Sequence, residues 1–350
     1  MLVSVCVPAH DAEEFIGEAL ASVVAQDYAE VECVVVDDGS ADGTYAAALE
    51  WEVSFAAAKK RLVVVRQGTN RGAGAARNAA IAAASGEWIC SLDADDTCAP
   101  QRVRRLLEAA AGLEAPRATL LGSRFERIPA TATPRYAQWA NGLSADRCVL
   151  ERFREVTIVQ PTWFFHRRVW EVAGKYDEDD LKCDDLRFFH RHLERGGRLH
   201  RVDEVLVRYR HRERAGLSFV TPRRLLVRWR VEAFARSVLL LGHHRRRWGV
   251  FSIWGAGRDA REFVSALSDL DSALARRIRA LHDVDEHKLR AKRYVNGRTG
   301  FAVDVQHTSL IAAPFVVCVA LDRFPALEAA VRTLAAARGL VEGVDYWHFN

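Results

Sequence analysis

Four apolar runs, each closed by a turn rich in carboxylates or glycine, recur in the first quarter of the chain. Val3–Val7, Val31–Val36, Leu62–Arg66 and Trp88–Leu92 read as buried strands, and Glu13–Ala25, Ala41–Ala58 and Gly72–Ala84 as the helices between them. His10-Asp11 is placed to cap the first helix, and Ser40 or Asp42 the second. Strands alternating with helices in this way predict an α/β fold built on an open parallel sheet. Such sheets bind ligands beyond the carboxyl ends of their strands. The turns Asp37-Asp38-Gly39-Ser40 and Asp93-Ala94-Asp95-Asp96 therefore face one cleft.

The second of these turns is the more demanding. Three carboxylates within four residues follow directly on Trp88-Ile89-Cys90 and Ser91-Leu92. At the end of a buried strand they repel one another unless a cation sits among them. Mn²⁺ or Mg²⁺ suits the oxygen ligands and commonly bridges to substrate phosphates. The competing expectation is a helix cap, since Ala99-Pro100 opens the helical stretch Gln101–Ala111. Asp93 and Asp95 fit the metal site, and Asp96 the cap.

At 350 residues and 39.2 kDa the chain suits one large domain and a smaller one. No apolar run approaches the roughly 20 residues that span a bilayer. The start, Met1-Leu2-Val3-Ser4-Val5-Cys6-Val7-Pro8, reads as a first strand and not a leader. Seven cysteines are scattered without CxxC pairs, and Cys6, Cys33, Cys90 and Cys318 lie in apolar runs. Reduced thiols, a cytoplasmic location and no zinc site are the expectation.

The net charge is +4, and all but six of the 50 cationic side chains are arginine. Residues 222–248 concentrate them: Pro222-Arg223-Arg224-Leu225-Leu226-Val227-Arg228-Trp229-Arg230, then His243-His244-Arg245-Arg246-Arg247-Trp248. This basic helical stretch with interleaved aromatics could meet a phosphate backbone, or could be a solvated linker. Residues 126–215 are less regular, with a Pro/Thr-rich loop at Ile128–Pro134, strands near Thr162–His166 and Val205–Tyr209, and a helix at Leu186–Arg195. A second unit starts near Phe251. Phe251–Trp254 runs into Gly255-x-Gly257-x-x-Ala260 and a helix to Leu267, with Ile278–His282 and Phe315–Leu321 as further strands. With Asp283 and Asp285 after the next strand, this is a relaxed dinucleotide fingerprint. Glycine may equally be required by the tight strand–helix turn alone. The expected organisation is a domain over 1–220, a basic linker over 221–248 and a small Rossmann-like domain over 249–350.

Taken in order, Val5-Cys6-Val7-Pro8-Ala9-His10-Asp11, Val35-Val36-Asp37-Asp38-Gly39-Ser40, Asn70-Arg71-Gly72-Ala73-Gly74-Ala75-Ala76-Arg77-Asn78 and Asp93-Ala94-Asp95-Asp96 resemble the motifs of the family 2 glycosyltransferases of GT-A fold. The resemblance implies that Pro8, Ala9, His10, Asp11 and Asp38 surround the uracil of a UDP-sugar. Arg71 approaches the nucleotide and Arg77 braces the Gly-rich turn. Asp93-Ala94-Asp95 is the DxD motif, with Asp93 on ribose or metal and Asp95 on Mn²⁺ or Mg²⁺ against the diphosphate. Such enzymes place an acidic pair before an aromatic. Here it is Asp184-Asp185-Leu186-Arg187-Phe188, with Asp185 as the base and Asp184 standing where the family has Glu. Tyr209-Arg210-His211 resembles a segment whose His reaches the diphosphate or metal.

A finer resemblance runs through Arg135-Tyr136-x-x-Trp139-x-Asn141, Pro161-Thr162-Trp163-Phe164, Phe251-Ser252-Ile253-Trp254-x-Ala256-Gly257, Asp283-Val284-Asp285-Glu286-x-Lys288 and Pro314-Phe315-Val316-Val317-Cys318-Val319. It is to the queuosine-tRNA galactosyltransferases, and it covers both units. It implies inverting transfer from UDP-galactose to queuosine in a tRNA-Tyr-type anticodon, with Trp163, Arg223, Arg224, Arg228, Arg245, Arg246 and Arg247 toward the tRNA. Two other readings stand beside it. One is transfer from UDP-GlcNAc or another UDP-sugar to a glycan or protein acceptor; the other is a non-catalytic RNA-binding protein.

Overall fold

The computed structural model describes residues 1–179, 182–212, 221–242, 247–319 and 325–349, which divide into two compact units. The first comprises Met1–Cys148 and Val156–Val220, the second Val149–Glu155 and Thr221–Asn350.

The first unit is built on an eight-stranded sheet of order β3-β2-β1-β4-β7-β6-β8-β5. Its strands are β1 Val3–Ala9, β2 Val31–Asp37, β3 Arg61–Arg66, β4 Trp88–Ser91, β5 Thr97–Cys98, β6 Thr119–Ile128, β7 Phe164–His166 and β8 Arg198–Arg210. β1 pairs in parallel with β2 and β4, and β2 with β3. Every residue of β2 is buried, the pattern of a strand covered on both faces. The core joins Val3, Val5 and Val7 to Ile16, Leu20 and Val23 of helix α1, Ile16–Val24. The register sets Ala9 beside Asp37 and Cys6 beside Ser91, so the turns after β1, β2 and β4 leave one edge.

The sheet departs from the expected open parallel one. β7 lies antiparallel between β4 and β6, and β5 antiparallel on β8, so the sheet is mixed. The expected helix Ala41–Ala58 is two, Thr44–Leu49 and Glu52–Ala57. The Trp51 N–H bonds the Ala48 carbonyl, a one-residue-tighter step that breaks the α ladder there. The Asp11 carboxylate does not cap α1; it accepts the Ala41 N–H across to the turn after β2.

The second unit carries a six-stranded sheet of order β11-β12-β10-β9-β13-β14. These are β9 Phe251–Trp254, β10 Ile278–Asp283, β11 Arg293–Val295, β12 Ala302–His307, β13 Phe315–Val317 and β14 Tyr346–His348. All pair in parallel except the β11–β12 hairpin. Residues 320 and 321 of the expected strand Phe315–Leu321 lie outside the described residues.

The basic stretch is not a linker. Arg223–Phe234 is a helix that widens into a π-helical segment over Ala235–Leu241. Val227, Val231, Phe234, Val238 and Leu239 are buried in the same core as Phe251, Ile253, Phe263 and Val264. At the glycine turn, Gly255 has φ +114, and a Cβ there would come within 3.0 Å of the Cys318 carbonyl. Asp283 ties the turn down, accepting from the Ala256 N–H at 2.8 Å and from Lys288 Nζ at 2.9 Å.

Each unit buries a histidine, His192 in the first and His282 in the second. Each ring donates to a carbonyl, of Arg198 and His307 respectively, and burial holds both imidazoles below their ordinary value. Below about pH 6.5 these two imidazoles bind more protons in the unfolded chain than in the folded one, so their contribution to stability falls as pH drops through that value. His192→Gln is expected to raise the melting temperature at about pH 5.5 relative to that at about pH 7.5, compared with the wild type; an unchanged difference would contradict this.

Candidate active site

The turns after β1, β2 and β4 line a cavity of about 290 Å³, together with the start of helix α2, Ala73–Ala83, and the end of β8. On the β1–β2 side stand Pro8, Ala9, His10 and Asp38. Asp38 is buried and uses both oxygens on the loop before α2, accepting the Arg71 and Gly72 N–H groups at 2.8 Å each. That loop presses close: a Cβ on Gly39 would come within 2.6 Å of the Asn70 nitrogen, and Gly39 has φ +64. His10 Nδ1 lies 3.0 Å from the Asp38 carbonyl and Nε2 2.8 Å from the Asn70 amide nitrogen. Nδ1 thus faces an acceptor and Nε2 the amide donor, with an Asp11 carboxylate oxygen 3.5 Å from Nε2. Asp11 and Arg71 do not line this cavity. Asp11 holds Ala41, and the Arg71 guanidinium pairs with Glu178 at 2.6 Å.

Across the cavity lie Asp93, Ala94 and Asp95. Asp93 accepts from Arg77 Nη2 at 3.2 Å, and Asp184 accepts from Arg77 Nη1 at 2.5 Å. Arg77 is 8% exposed and also reaches Gln160 Oε1 at 3.3 Å. It is thus a buried cation shared by the acidic turn and the acidic pair, beyond its expected place at the Gly-rich turn. Among the described residues Asp95 has no such partner. Burial, then the Asp93 charge, pushes its carboxyl up to about 6, with Arg212 opposing.

Asp96 does not cap a helix. It is fully buried, its Oδ1 accepts the Arg210 N–H at 2.7 Å, and β5 follows it directly. The helix Arg102–Ala111 has no side-chain cap at Gln101. Burial, then Asp93, pushes the Asp96 carboxyl well above the ordinary range, and among the described residues its Oδ2 has no hydrogen-bond partner.

Among the described residues no three His, Cys, Asp or Glu side chains form a complete metal cage. A Mg²⁺- or Mn²⁺-type site of one or two carboxylates completed by substrate phosphates and water needs none. Asp95 and Asp93 supply hard oxygen donors, and a bound cation would relieve the elevated Asp95 carboxyl. His211 lines the same cavity, its backbone N–H held by the Ile128 carbonyl at 2.8 Å. The residues fit a divalent cation.

Asp184 and Asp185 open helix α3, Asp184–Glu194, behind Cys183 at φ 75. Their settings differ. Asp184 is buried on Arg77, whereas Asp185 is half-buried, and its charge reaches both Arg77 and the cavity-lining Tyr209. Trp163 is not on an acceptor surface. It is fully buried, its indole N–H donates to the Ile158 carbonyl at 2.6 Å, and its ring packs on Tyr176 and Phe188. Arg223 is engaged by Asp259 and Glu262. Arg224, Arg228 and Arg247 are exposed, while Arg245 and Arg246 lie outside the described residues. Sequence reasoning missed Gln160 and Arg212, which carry no motif of their own, and gave Asn70 no role although its Gly-rich stretch stood out.

A model of glycosyl transferase family 2 matches residues 4–172, a span that ends before Asp184. The succinoglycan biosynthesis protein ExoO of Rhizobium meliloti is 44% identical over 108 residues, which are 31% of this chain and 29% of that protein. The chain thus spans less than a third of that relative's length. Among solved structures, S. aureus TarS 1–349 in complex with UDP-GlcNAc superposes with a TM-score of 0.57 at 21% identity, over 78% of this chain and 82% of that one. The mannosyltransferase PcManGT from Pyrobaculum calidifontis, in complex with GDP-Man and Mn²⁺, does so with a TM-score of 0.52 at 22% identity, over 67% and 63%. At those identities the likeness is one of fold. The sheet whose strand ends build this cavity is therefore a GT-A-like sheet, and residues 4–172 are the part of the chain that is similar to glycosyl transferase family 2.

Proposed function

We propose that the protein is a metal-dependent, inverting glycosyltransferase that moves a sugar from a UDP-sugar to a hydroxyl of a glycan acceptor. The observation that carries this reading is the convergence on one cavity of the His10–Asp38 loop pair and the Asp93–Asp95 turn, with Asp185 alongside. His10, Asp38 and the backbone of Pro8 and Ala9 hold the nucleoside. Asp93 and Asp95, with His211, hold the cation. When bound, that cation neutralises charge on the departing diphosphate as a Lewis acid. Asp185 accepts the proton of the acceptor hydroxyl as its oxygen bonds the anomeric carbon and the bond from that carbon to the diphosphate oxygen breaks. The succinoglycan biosynthesis role of ExoO and the UDP-GlcNAc bound to TarS support a UDP-sugar and a polysaccharide-type acceptor.

A second acceptor, queuosine in a tRNA-Tyr-type anticodon with UDP-galactose as donor, is favoured by the motif resemblance that runs through both units. Against it stand the buried Trp163 and the paired Arg223. One experiment separates them: a panel of UDP-sugars and Mn²⁺ with glycan acceptors and with total tRNA from cells with and without queuosine. Hexose mass gain on a glycan supports the first reading. Gain only on queuosine-containing nucleoside with UDP-galactose supports the second. Absence of Mn²⁺-dependent UDP binding in titration calorimetry would sink both.

Asp185→Asn is expected to lower turnover by about 10²–10⁴-fold with UDP affinity unchanged. A variant that still turns over would move the base elsewhere.

A further inference from the structure

Four consecutive apolar residues, Val238, Leu239, Leu240 and Leu241, close the π-helical segment of the second unit. One helix cannot turn all four to the core. Val238 and Leu239 are buried, while Leu240 and Leu241 face out, 43% and 59% exposed. Val250, Leu270 and Val341 are exposed as well. All five lie where β9, β10, β13 and β14 begin, since these strands run parallel. Val250 directly precedes β9, Leu270 ends the helix Arg258–Leu270 on the way to β10, and Val341 opens the turn before β14. Hydrogen bonds gather these ends. The Trp248 N–H donates to the Val238 carbonyl at 3.2 Å, its indole N–H to the Val344 carbonyl at 2.9 Å, and the Phe251 N–H to the Arg277 carbonyl at 2.9 Å. Arginines stand among the apolar groups. Arg247 donates to the Leu239 carbonyl at 3.0 Å, Arg277 to the same carbonyl at 3.1 Å and Arg276 to the Ser272 hydroxyl at 3.4 Å; among the described residues none of the three is ion-paired. The acids at this end are engaged within the fold, Asp271 on the Ala273 N–H, Asp345 on the Val341 N–H, and Glu342 3.5 Å from His348.

We propose that this end of the second unit is a membrane-contact surface that rests on an anionic lipid bilayer. Leu240, Leu241 and Val250 enter the boundary between headgroups and acyl chains, and Arg247, Arg276 and Arg277 meet lipid phosphates with the N–H groups they have left over. Neither part suffices alone. A few apolar side chains give only weak, reversible attachment, and cations near an anionic surface add to it. A guanidinium suits the place, because its planar fork matches two phosphate oxygens. The mixture of groups favours lipid over other partners. A nucleic acid would use the arginines, but its backbone is met by cations and its bases by aromatic rings, which leaves the leucines and valines in water. A second copy of the chain would call for aromatic groups and little charge at the centre of the contact. Here the aromatics Trp248, Phe251 and Trp347 are buried within the unit. This inference concerns the second unit alone and does not depend on the donor or the acceptor.

The test is flotation of the full-length protein with vesicles of phosphatidylcholine, with and without phosphatidylglycerol. The wild type is expected to partition onto the anionic vesicles about tenfold more strongly than onto the neutral ones, and added salt should weaken the binding. Leu240→Ser with Leu241→Ser should lower that partition by about tenfold, and Arg247→Gln with Arg276→Gln by about fivefold. Both double variants change exposed side chains, so their melting temperatures should stay at the wild-type value. A wild type that stays in solution with both kinds of vesicle overturns the proposal, as does vesicle binding that survives the leucine changes. Self-association in vesicle-free solution that the leucine changes abolish would assign this end to a second copy of the chain and overturn it too. So would binding of total tRNA, lost in the arginine variant, by a protein that ignores vesicles.

Discussion

Asp95→Asn is expected to abolish sugar transfer while raising the melting temperature of the metal-free protein. The two effects share one cause. Asp95 sits in a cavity where burial and the neighbouring Asp93 push its carboxyl up to about 6. A carboxyl raised above its unfolded value binds more protons in the folded state, so its penalty grows as pH rises through that range and is complete above it. At neutral pH the charge opposes folding by about 1–2 kcal/mol, after allowance for its partial contact with solvent. Asparagine keeps the shape and removes the charge, for a gain of about 2–8 °C in a unit of this size. The same change removes the cation's principal ligand, and turnover is expected to fall by about 10³-fold or more. Differential scanning calorimetry with and without Mn²⁺ checks both halves. Mn²⁺ should raise the wild-type transition and leave the variant unmoved. A variant that melts below the metal-free wild type would mean that Asp95 is a structural carboxylate.

Arg77→Ala is expected to produce the largest loss of stability. The guanidinium is 8% exposed and answers Asp93 and Asp184 at once, with Gln160 as a third partner. Removing it leaves two carboxylates facing each other without a counter-charge, a defect that costs about 3–5 kcal/mol. The expected fall in melting temperature is on the order of 10 °C. In an Asp184→Asn background the same substitution should cost less, because one of the stranded charges is gone; that difference is the coupling energy. Arg77→Lys should not rescue, since an ammonium cannot present the planar fork that meets both acids. Turnover should fall with stability, because Arg77 fixes the start of α3, where Asp185 follows Asp184. If Arg77→Ala costs under about 1 kcal/mol, the ion pairs do not hold the site together.

The strands that matter most to the site were readable because they are short, largely apolar and buried on both faces. β1, β2 and β4 begin within a residue of where the apolar runs do. β8 was legible only over Val205–Tyr209. Its other positions mix Arg198, Arg201, Asp203, Glu204 and Arg210 with apolar residues, because much of the strand is partly exposed. The basic segment misled for a related reason: its arginines dominate the composition, while Val227, Val231 and Phe234 carry the packing.

The same division holds for the candidate site. The carboxylates of the Asp93–Asp96 turn, the Asp38 turn and the Asp184–Asp185 pair stand out in the chain, because clustered charge after an apolar run demands a partner. What each charge meets depends on residues far away in sequence. Asp96 looked like a cap and instead accepts from the Arg210 backbone, 114 positions on. Trp163 looked like a recognition aromatic and is packed against Phe188. Arg77 answers Asp184 from 107 positions away. Local pattern records how a segment balances burial against solvation, so the sequence alone determined the parallel core and the edge at which chemistry would gather. Ion pairing acts through space at a few ångströms, so only the tertiary structure decided which charges are mutually satisfied and which are left for a ligand.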